Sequence, residues 1–256
     1  MPATPSVRVR LPSVLRPLAG GRPELRGEGA TVGEVLRALG REHPELRQRL
    51  LDDDGRLRRY VTFFLNGEDV RHAGGADAPV AAGDELTVVP ALSGGAPLRA
   101  VARRIGEGGA VAVDEGLGVV PAIAARAEGS PEEEICGFVL AAEGGVRVDV
   151  VPVRNVAGDP RRGFVMEPRE VLAVLRAAEE GGRAVAAIFH SHPAGGAGLS
   201  PADRALLAPD GRPLWPGVEL WVIALEGGRA VELRAHAWAG ERHEERWRRR
   251  APFTER

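Results

Sequence analysis

The sequence predicts an α/β (α+β) protein built from two domains, and three observations lead to that prediction. The chain has 256 residues, too many for one small module, and 44% of them are hydrophobic, enough for real cores. Segments with the two-residue period of strands alternate with segments that have the helical period. Residues 96–110 contain Ala96-Pro97 and Gly108-Gly109, a composition typical of a linker between domains.

The first domain shows a strand, a helix and further strands in sequence. Residues 7–11 alternate apolar and charged side chains, as a half-buried strand does. Thr31 can cap a helix, with Glu34 in the capping-box position and one apolar face formed by Val32, Val35, Leu36 and Leu39. Residues 60–65 form a β-rich segment that ends at the turn signal Asn66-Gly67. A last strand is predicted over residues 85–90.

This order of elements is that of a β-grasp domain, and residues 1–95 resemble the MoaD/ThiS group of ubiquitin-like sulfur carriers. The similarity is greatest to the bacterial sulfur carrier of cysteine synthesis. It lies in residues 11–16, 66–71 and 83–91 and in the closing Gly94-Gly95. The resemblance implies that Gly94 and Gly95 are the carrier's C-terminus and that the bond to Ala96 is a cleavage site. Without it, the same glycines read as a flexible linker. Glycines there would let an extended tail enter a narrow channel.

The second domain is predicted over residues 111–240. A helix over residues 119–127 precedes strands over 135–141 and 146–153, and a second helix covers 168–180. The apolar run at 184–189 predicts a central strand, and residues 219–225 and 230–235 predict a closing strand pair. Residues 241–256 are expected to be a charged tail, helical or loose.

His190-Ser191-His192-Pro193 directly follows the predicted central strand. Residues two apart in a strand point to one side, so His190 and His192 can present two imidazoles to one point. Asp203 would lie in the first turn of the next helix. Two imidazoles, one carboxylate and a water form an open catalytic zinc site. Taken separately, Ser200-Pro201-Ala202-Asp203 is also a good helix start, and the histidine pair could be a polar rim.

The complete string is more specific, because it is the signature of the JAMM (MPN-plus) zinc metalloproteases. It reads His-x-His-Pro, six residues, Ser, two residues, Asp, and Glu134-Ile135-Cys136-Gly137 matches the family's upstream glutamate motif. The domain is therefore expected to be a JAMM (MPN) α/β domain with a mixed sheet flanked by helices. The resemblance implies zinc ligands at His190, His192 and Asp203.

The resemblance also implies the roles of the remaining motif residues. Zinc lowers the pKa of a bound water to about 7, and Glu134 would take its proton and pass it to the leaving amine. Ser200 would hydrogen-bond the developing oxyanion. Cys136 is interpreted as buried packing. The remaining histidines are interpreted as surface or structural, and the tryptophans as packing residues: His43, His72, His236, His243, Trp215, Trp221, Trp238 and Trp247.

Composition limits the classes of partner. The net charge of −2 argues against a dedicated nucleic-acid binder, and no apolar run approaches the roughly 20 residues of a membrane helix. No signal peptide is recognised in residues 1–20, so a cytoplasmic protein is expected. All 34 basic residues are arginine, so the chain offers no ε-amine for acylation.

Together the two resemblances imply a Zn²⁺-dependent hydrolase that cleaves after the Gly-Gly of a ubiquitin-like sulfur carrier. The carrier is the chain's own N-terminal domain or a copy in trans, and the expected product is cysteine released from a carrier-cysteine adduct. An adenylating activating enzyme and a cysteine synthase are the implied further partners. Two alternatives stay open: trimming of a carrier for another sulfur-insertion pathway, and a β-grasp domain that acts only as a docking or inhibitory module.

Overall fold

The computed structural model describes residues 4–90, 118–142, 148–215 and 217–253. The chain divides into two compact units, Met1–Ala91 and Leu92–Arg256. The predicted carrier C-terminus at Gly94, Gly95 and Ala96 and the predicted linker at 96–110 lie outside the described residues. The domain boundaries at these positions therefore stay predictions.

The first unit is a five-stranded mixed sheet with two α-helices. The strands are β1 (Ser6–Arg10), β2 (Glu24–Glu28), β3 (Val61–Leu65), β4 (Glu68–Asp69) and β5 (Glu85–Pro90), in the order β2-β1-β5-β3-β4. The helices are α1 (Val32–Glu42) and α2 (Pro44–Leu50), and short 3-10 helices cover Ser13–Ala19, Val70–His72 and Gly75–Asp77. Strand β1 is parallel to β5 and antiparallel to β2. The predicted β-grasp fold is confirmed.

Helix α1 forms where its cap and apolar stripe predict it. The Thr31 hydroxyl accepts a hydrogen bond from the Glu34 amide, and the Glu34 carboxylate accepts one from the Ala30 amide at 2.7 Å. The predicted apolar face is buried at all four positions. Strand β2 was not predicted, because only Leu25 and Gly27 of this charged segment are buried.

In the part of the chain that the structure describes, the second unit is a six-stranded mixed sheet with three α-helices. Its strands are β6 (Cys136–Ala142), β7 (Val148–Val153), β8 (Arg183–His192), β9 (Glu219–Glu226), β10 (Arg229–Trp238) and β11 (His243–Arg250), in the order β11-β10-β9-β8-β6-β7. Its helices are α3 (Val119–Gly129), α4 (Pro168–Glu180) and α5 (Pro201–Leu207), with a 3-10 helix at Pro209–Gly211. Strands β8 and β9 are parallel, and the other neighbours are antiparallel.

Helix α3 covers one face of this sheet. Val120 and Ile123 pack with Phe189, Trp221 and Leu233 in a buried apolar cluster. Because neighbouring residues in a strand alternate between faces, His190 and His192 project from the opposite face. The apolar cluster thus packs against one face of β8, and the two histidines lie on the other face.

Two expectations about strands need correction. Residues 241–256 were expected to be a helical or loose tail, but residues 243–250 form β11, which pairs with β10. The strand was missed because its apolar contacts are few, with Trp247 packed against the core cluster among charged neighbours. Strand β8 also continues through His192, so both histidines belong to the strand itself. None of the described helices is long and apolar enough to cross a membrane.

Candidate active site

Strand β8 carries His190 and His192 at its end, in the middle of the sheet between β6 and β9. Both side chains are buried, and their Nε2 atoms lie 3.2 Å apart. Pro193 follows directly and has no amide hydrogen with which to extend the sheet. The His192 Nδ1–H donates to the Gly196 carbonyl at 2.9 Å, which leaves Nε2 facing His190.

Helix α5 brings Asp203 to the same point. The Ser200 hydroxyl accepts from the Asp203 amide at 3.0 Å, and the Asp203 carboxylate accepts from the Ser200 amide at 2.7 Å, which forms a capping box. The carboxylate oxygens of Asp203 also lie 3.5 Å from His190 Nε2 and 3.3 Å from His192 Nε2. One ligand atom from each of the three residues lies within 4.8 Å of the others. The helix-cap interpretation of this segment is thus compatible with a metal site.

The electrostatics of Asp203 and His190 favour the forms that bind a cation, whereas at His192 burial lowers the pKa but hydrogen bonds with Asp203 and the Gly196 carbonyl outweigh it and raise the pKa. Burial alone would raise the pKa of the Asp203 carboxyl, but hydrogen bonds with His190, His192 and Ser200 outweigh it and lower the pKa well below its usual range. Burial lowers the pKa of His190, so its ring is neutral near pH 7. A carboxylate and a neutral imidazole are the forms that bind a metal.

Glu134 lies just before β6 and is buried, with 6% of its surface exposed. Its amide donates to the Pro160 carbonyl at 2.7 Å, and its carbonyl accepts from Asn155 Nδ2 at 2.9 Å. Within the residues that the structure describes, its Oε2 atom has no hydrogen-bond partner. Burial raises the pKa of Glu134 to about 7, while the charges of His192 and Asp203 act on it in opposite directions. A carboxyl group near half-ionisation at neutral pH can both accept and release a proton.

Three residues that the sequence did not single out fix this geometry. The Ser191 hydroxyl accepts from the Ile135 amide at 2.9 Å and so ties β8 to the segment of Glu134. Asn155 holds the other side of that segment. The ring of Phe164 stacks on His190 with centroids 4.7 Å apart. Ser191 could have been suspected from its place between the histidines, whereas Asn155 and Phe164 belong to no recognisable motif.

Cys136 pairs with His190 across β6 and β8, but its thiol stays protonated and is therefore a poor nucleophile. Its thiol donates to the Val153 carbonyl at 3.4 Å, and burial raises the pKa of the thiol to about 12. The interpretation of Cys136 as buried packing is confirmed. Among the other histidines, His72 is exposed, whereas His236 and His243 are buried.

Comparison with protein-family models gives two matches. Residues 9–95 match the ThiS family, and residues 117–249 match the prokaryotic homologs of the JAB domain. The first match covers most of the five-stranded unit, and the second covers most of the unit that holds Glu134, the histidine pair and Asp203.

Curated relatives match either one unit or the other. The sulfur carrier protein CysO of Mycobacterium tuberculosis is 38% identical over 92 residues, which are 35% of this chain and 99% of CysO. The desampylase of Haloferax volcanii is 35% identical over 121 residues, 46% of this chain and 79% of the desampylase. A probable TtuB-protein conjugate cleaving protease of Thermus thermophilus is 41% identical over 54 residues, 21% of this chain and 36% of that protease.

Proposed function

The chain belongs to the prokaryotic homologs of the JAB domain and carries a ThiS-family domain in front, and on that premise we propose a zinc-dependent carrier hydrolase. The reaction is hydrolysis of the amide bond after the C-terminal Gly-Gly of a ubiquitin-like sulfur carrier. The observation that carries the proposal is the convergence of three buried ligand side chains beside the buried carboxyl of Glu134. The proposal assigns the enzyme to the cytoplasm, with no nucleic acid or membrane as partner.

The donor set of His190, His192 and Asp203 fits zinc. Two imidazole nitrogens and a carboxylate oxygen are ligands that zinc takes in open catalytic sites, where three protein ligands leave a position free. The Nδ1–H of His192 is fixed by a backbone carbonyl, the usual second contact of a ligating imidazole. The unpartnered Oε2 of Glu134, within the described part of the chain, suits a group that receives a proton from outside the protein.

When bound there, zinc supplies a Lewis acid that polarises the scissile carbonyl and activates water at neutral pH. Glu134 acts as the proton carrier: its carboxylate accepts the proton of the attacking water and then delivers it to the leaving nitrogen. Hydrogen bonds to its amide and its carbonyl fix the backbone from which that carboxylate extends. The C–N bond breaks, and the products are a carrier carboxylate and a free amine.

Ser200 assists at the carbonyl oxygen. Its hydroxyl oxygen accepts from the Asp203 amide and its hydroxyl also hydrogen-bonds the Asp203 carboxylate, so donation to the carbonyl oxygen requires the hydroxyl hydrogen to rotate away from that carboxylate. A donor held in this way stabilises the negative charge that develops on the carbonyl oxygen. The helix cap and the catalytic role use different parts of one hydroxyl group.

The fused domain and the relatives point to the substrate. The first unit is similar to a sulfur carrier, and the second is similar to a desampylase and to a protease named for cleaving conjugates. We propose release of cysteine from a carrier-cysteine amide, with an adenylating enzyme and a cysteine synthase upstream. Trimming of a carrier for a different sulfur-insertion pathway is the second candidate, since a ThiS-family match covers carriers in general.

A pair of matched substrates tests this proposal. In both, residues 1–95 end in an amide at Gly95, formed in one with cysteine and in the other with the ε-amine of a lysine peptide. The zinc-loaded protein is expected to release cysteine at least about tenfold faster than the lysine peptide, a difference of about 1.4 kcal/mol in barrier. The opposite order favours conjugate cleavage, and no cleavage of either contradicts the proposed function.

A further inference from the structure

Strand β10 carries a buried histidine, His236, on the face of the sheet that holds the candidate active site. It is 5% exposed and pairs with Leu220, which in turn pairs with Ile188 of β8. Residues paired across strands share a face, and Ile188 and His190 are two apart in β8. His236 therefore lies on the side of His190, two strands away.

His236 and His192 hold adjacent carbonyl groups of one loop. The His236 Nε2 lies 3.2 Å from the Ala197 carbonyl oxygen, and the His192 Nδ1 lies 2.9 Å from the Gly196 carbonyl oxygen. Ala197 is fully buried. The two imidazoles thus hydrogen-bond consecutive residues of the segment that connects β8 to α5.

This loop has little rigidity of its own. Residues 193–199 contain Gly195, Gly196 and Gly198, and Gly195 has a φ of 115°, in the region that favours glycine. A chain of this composition needs contacts from outside to keep one conformation. Within the described residues, His236 supplies one from strand β10.

The protonation state of His236 suits this contact. Burial lowers its pKa, and the charges of Arg204 and Arg234 lower it further, against the effect of the Ala197 carbonyl and Glu245. A neutral imidazole has a single N–H, and the nearby carbonyl oxygen requires that hydrogen on Nε2.

We propose that His236 is a positioning residue for His192. By holding the Ala197 carbonyl, it fixes the Gly196 carbonyl, which in turn fixes the ring orientation and the Nδ1–H tautomer of His192 and leaves His192 Nε2 for the metal. A direct contact to a ligating histidine is worth about 10- to 100-fold in metal affinity, and this range is the upper limit for His236, which acts through the loop. The inference rests on the metal site of the proposed function.

His243 on β11 offers a matched control. It is also buried, but its ring packs edge-on against Trp238 with centroids 5.0 Å apart, and its backbone carbonyl accepts from Arg204 of α5 at 3.4 Å. Replacing its side chain removes a buried imidazole from the same hairpin and leaves that backbone contact in place. A loss caused by destabilised β10 or β11 would appear in this variant as well.

The experiment compares the full-length chain with the variants His236→Leu, His236→Gln and His243→Leu. The apparent zinc affinity is measured by competition with a chromophoric chelator, and kcat and KM are measured with the carrier-cysteine amide. His236→Leu is expected to lose up to about 10-fold in zinc affinity, the lower end of the range for direct contacts, and to lower kcat with KM changed less than about threefold. Glutamine places an amide donor at a reach similar to Nε2, so His236→Gln is expected to recover most of the affinity. His243→Leu is expected to keep it.

The outcomes separate this inference from the proposed function. Absence of stoichiometric zinc in the wild type overturns the proposed function and the inference with it. A zinc-binding wild type whose affinity is unchanged by His236→Leu overturns the inference alone, as does an equal loss in His243→Leu. If His236→Leu fails to fold, His236→Asn replaces it, because the shorter amide cannot reach the Ala197 carbonyl. Equal zinc affinities of the Asn and Gln variants then overturn the inference.

Discussion

His190, His192 and Asp203 are buried polar side chains that face one another, and burial of such groups is costly unless they share a partner. Their ligand atoms form the one such group found among the described residues. The arrangement supports the cation site that we propose.

The first prediction concerns the ligands. His190→Ala and His192→Ala each remove one of three donors and are expected to abolish stoichiometric zinc, measured by elemental analysis after gel filtration. The exposed His72 provides the control, and His72→Ala is expected to keep one zinc per chain. Unchanged zinc in both ligand variants would remove the basis of the assignment.

The second prediction separates the proton carrier from the ligands. Glu134→Gln keeps the shape of a buried side chain but cannot accept a proton, so hydrolysis is expected to fall about 100-fold or more with zinc retained. The matched control is Glu133→Gln, because Glu133 is the exposed neighbour of Glu134. If Glu134→Gln turns over the carrier-cysteine amide at the wild-type rate, this role is wrong.

For individual residues, the sequence predicts the motif side chains but not the hydrogen bonds that hold them in position. The four motif residues lie within 14 positions of the chain, so their spacing is visible as a local pattern: His190, His192, Ser200 and Asp203. Asn155 and His236 act through hydrogen bonds to residues that are far away in the chain, and no local pattern reports such contacts.

Among the elements, β8 shows why strand ends are hard to predict. Its apolar run predicts the buried middle of the strand, but the polar histidines that extend it are stabilised by pairing with β9 and by Ser191. The charged composition of β11 predicts a loose tail for the same reason. The pairing of β11 with β10 and the contacts of Trp247 with Glu219 and Trp221 of β9, rather than its own composition, make it a strand.

Glu219 connects β9 to β11, and the third prediction tests that link. Its carboxylate accepts from the indole N–H groups of Trp221 at 2.8 Å and Trp247 at 3.2 Å. Glu219→Leu removes the acceptor and is expected to cost about 1–3 kcal/mol in the free energy of unfolding, measured with urea. Glu219→Gln keeps an acceptor oxygen and is expected to lose less. An equal loss in both variants would contradict the role of these hydrogen bonds.

The same residue gives the molecule a pH-dependent stability. Burial raises the pKa of Glu219 above its ordinary 4.5, against the hydrogen bonds from Trp221 and Trp247. The folded state then favours the protonated acid, so this contribution is present at low pH and is lost as the pH rises through the raised pKa. The stability of the wild type relative to Glu219→Gln is expected to fall as the pH rises above the ordinary pKa of 4.5. A constant difference would contradict this effect.

In the whole molecule, the fusion of the two domains blocks the carboxyl group that a sulfur carrier needs. A sulfur carrier is activated at a free glycine carboxylate, but Gly95 is joined to Ala96 by a peptide bond. The N-terminal domain can therefore carry sulfur only after hydrolysis at this bond, which is the chemistry proposed for the second unit. Pro90 and Gly95 are five residues apart, a span of at most about 18 Å when extended. Cleavage between two chains avoids that restriction, so we expect the rate to rise with protein concentration.

The claim that one chain holds both the enzyme and its substrate is tested most directly by intact-mass spectrometry of a mixture. Zinc-loaded wild type is incubated with isotope-labelled full-length Glu134→Gln, which serves only as substrate. The account predicts labelled fragments of residues 1–95 and 96–256, formed faster at higher wild-type concentration, and no cleavage when the labelled chain also carries Gly95→Asp. A labelled chain that stays at full length after long incubation at high concentration would contradict the account and favour a docking role for the N-terminal domain.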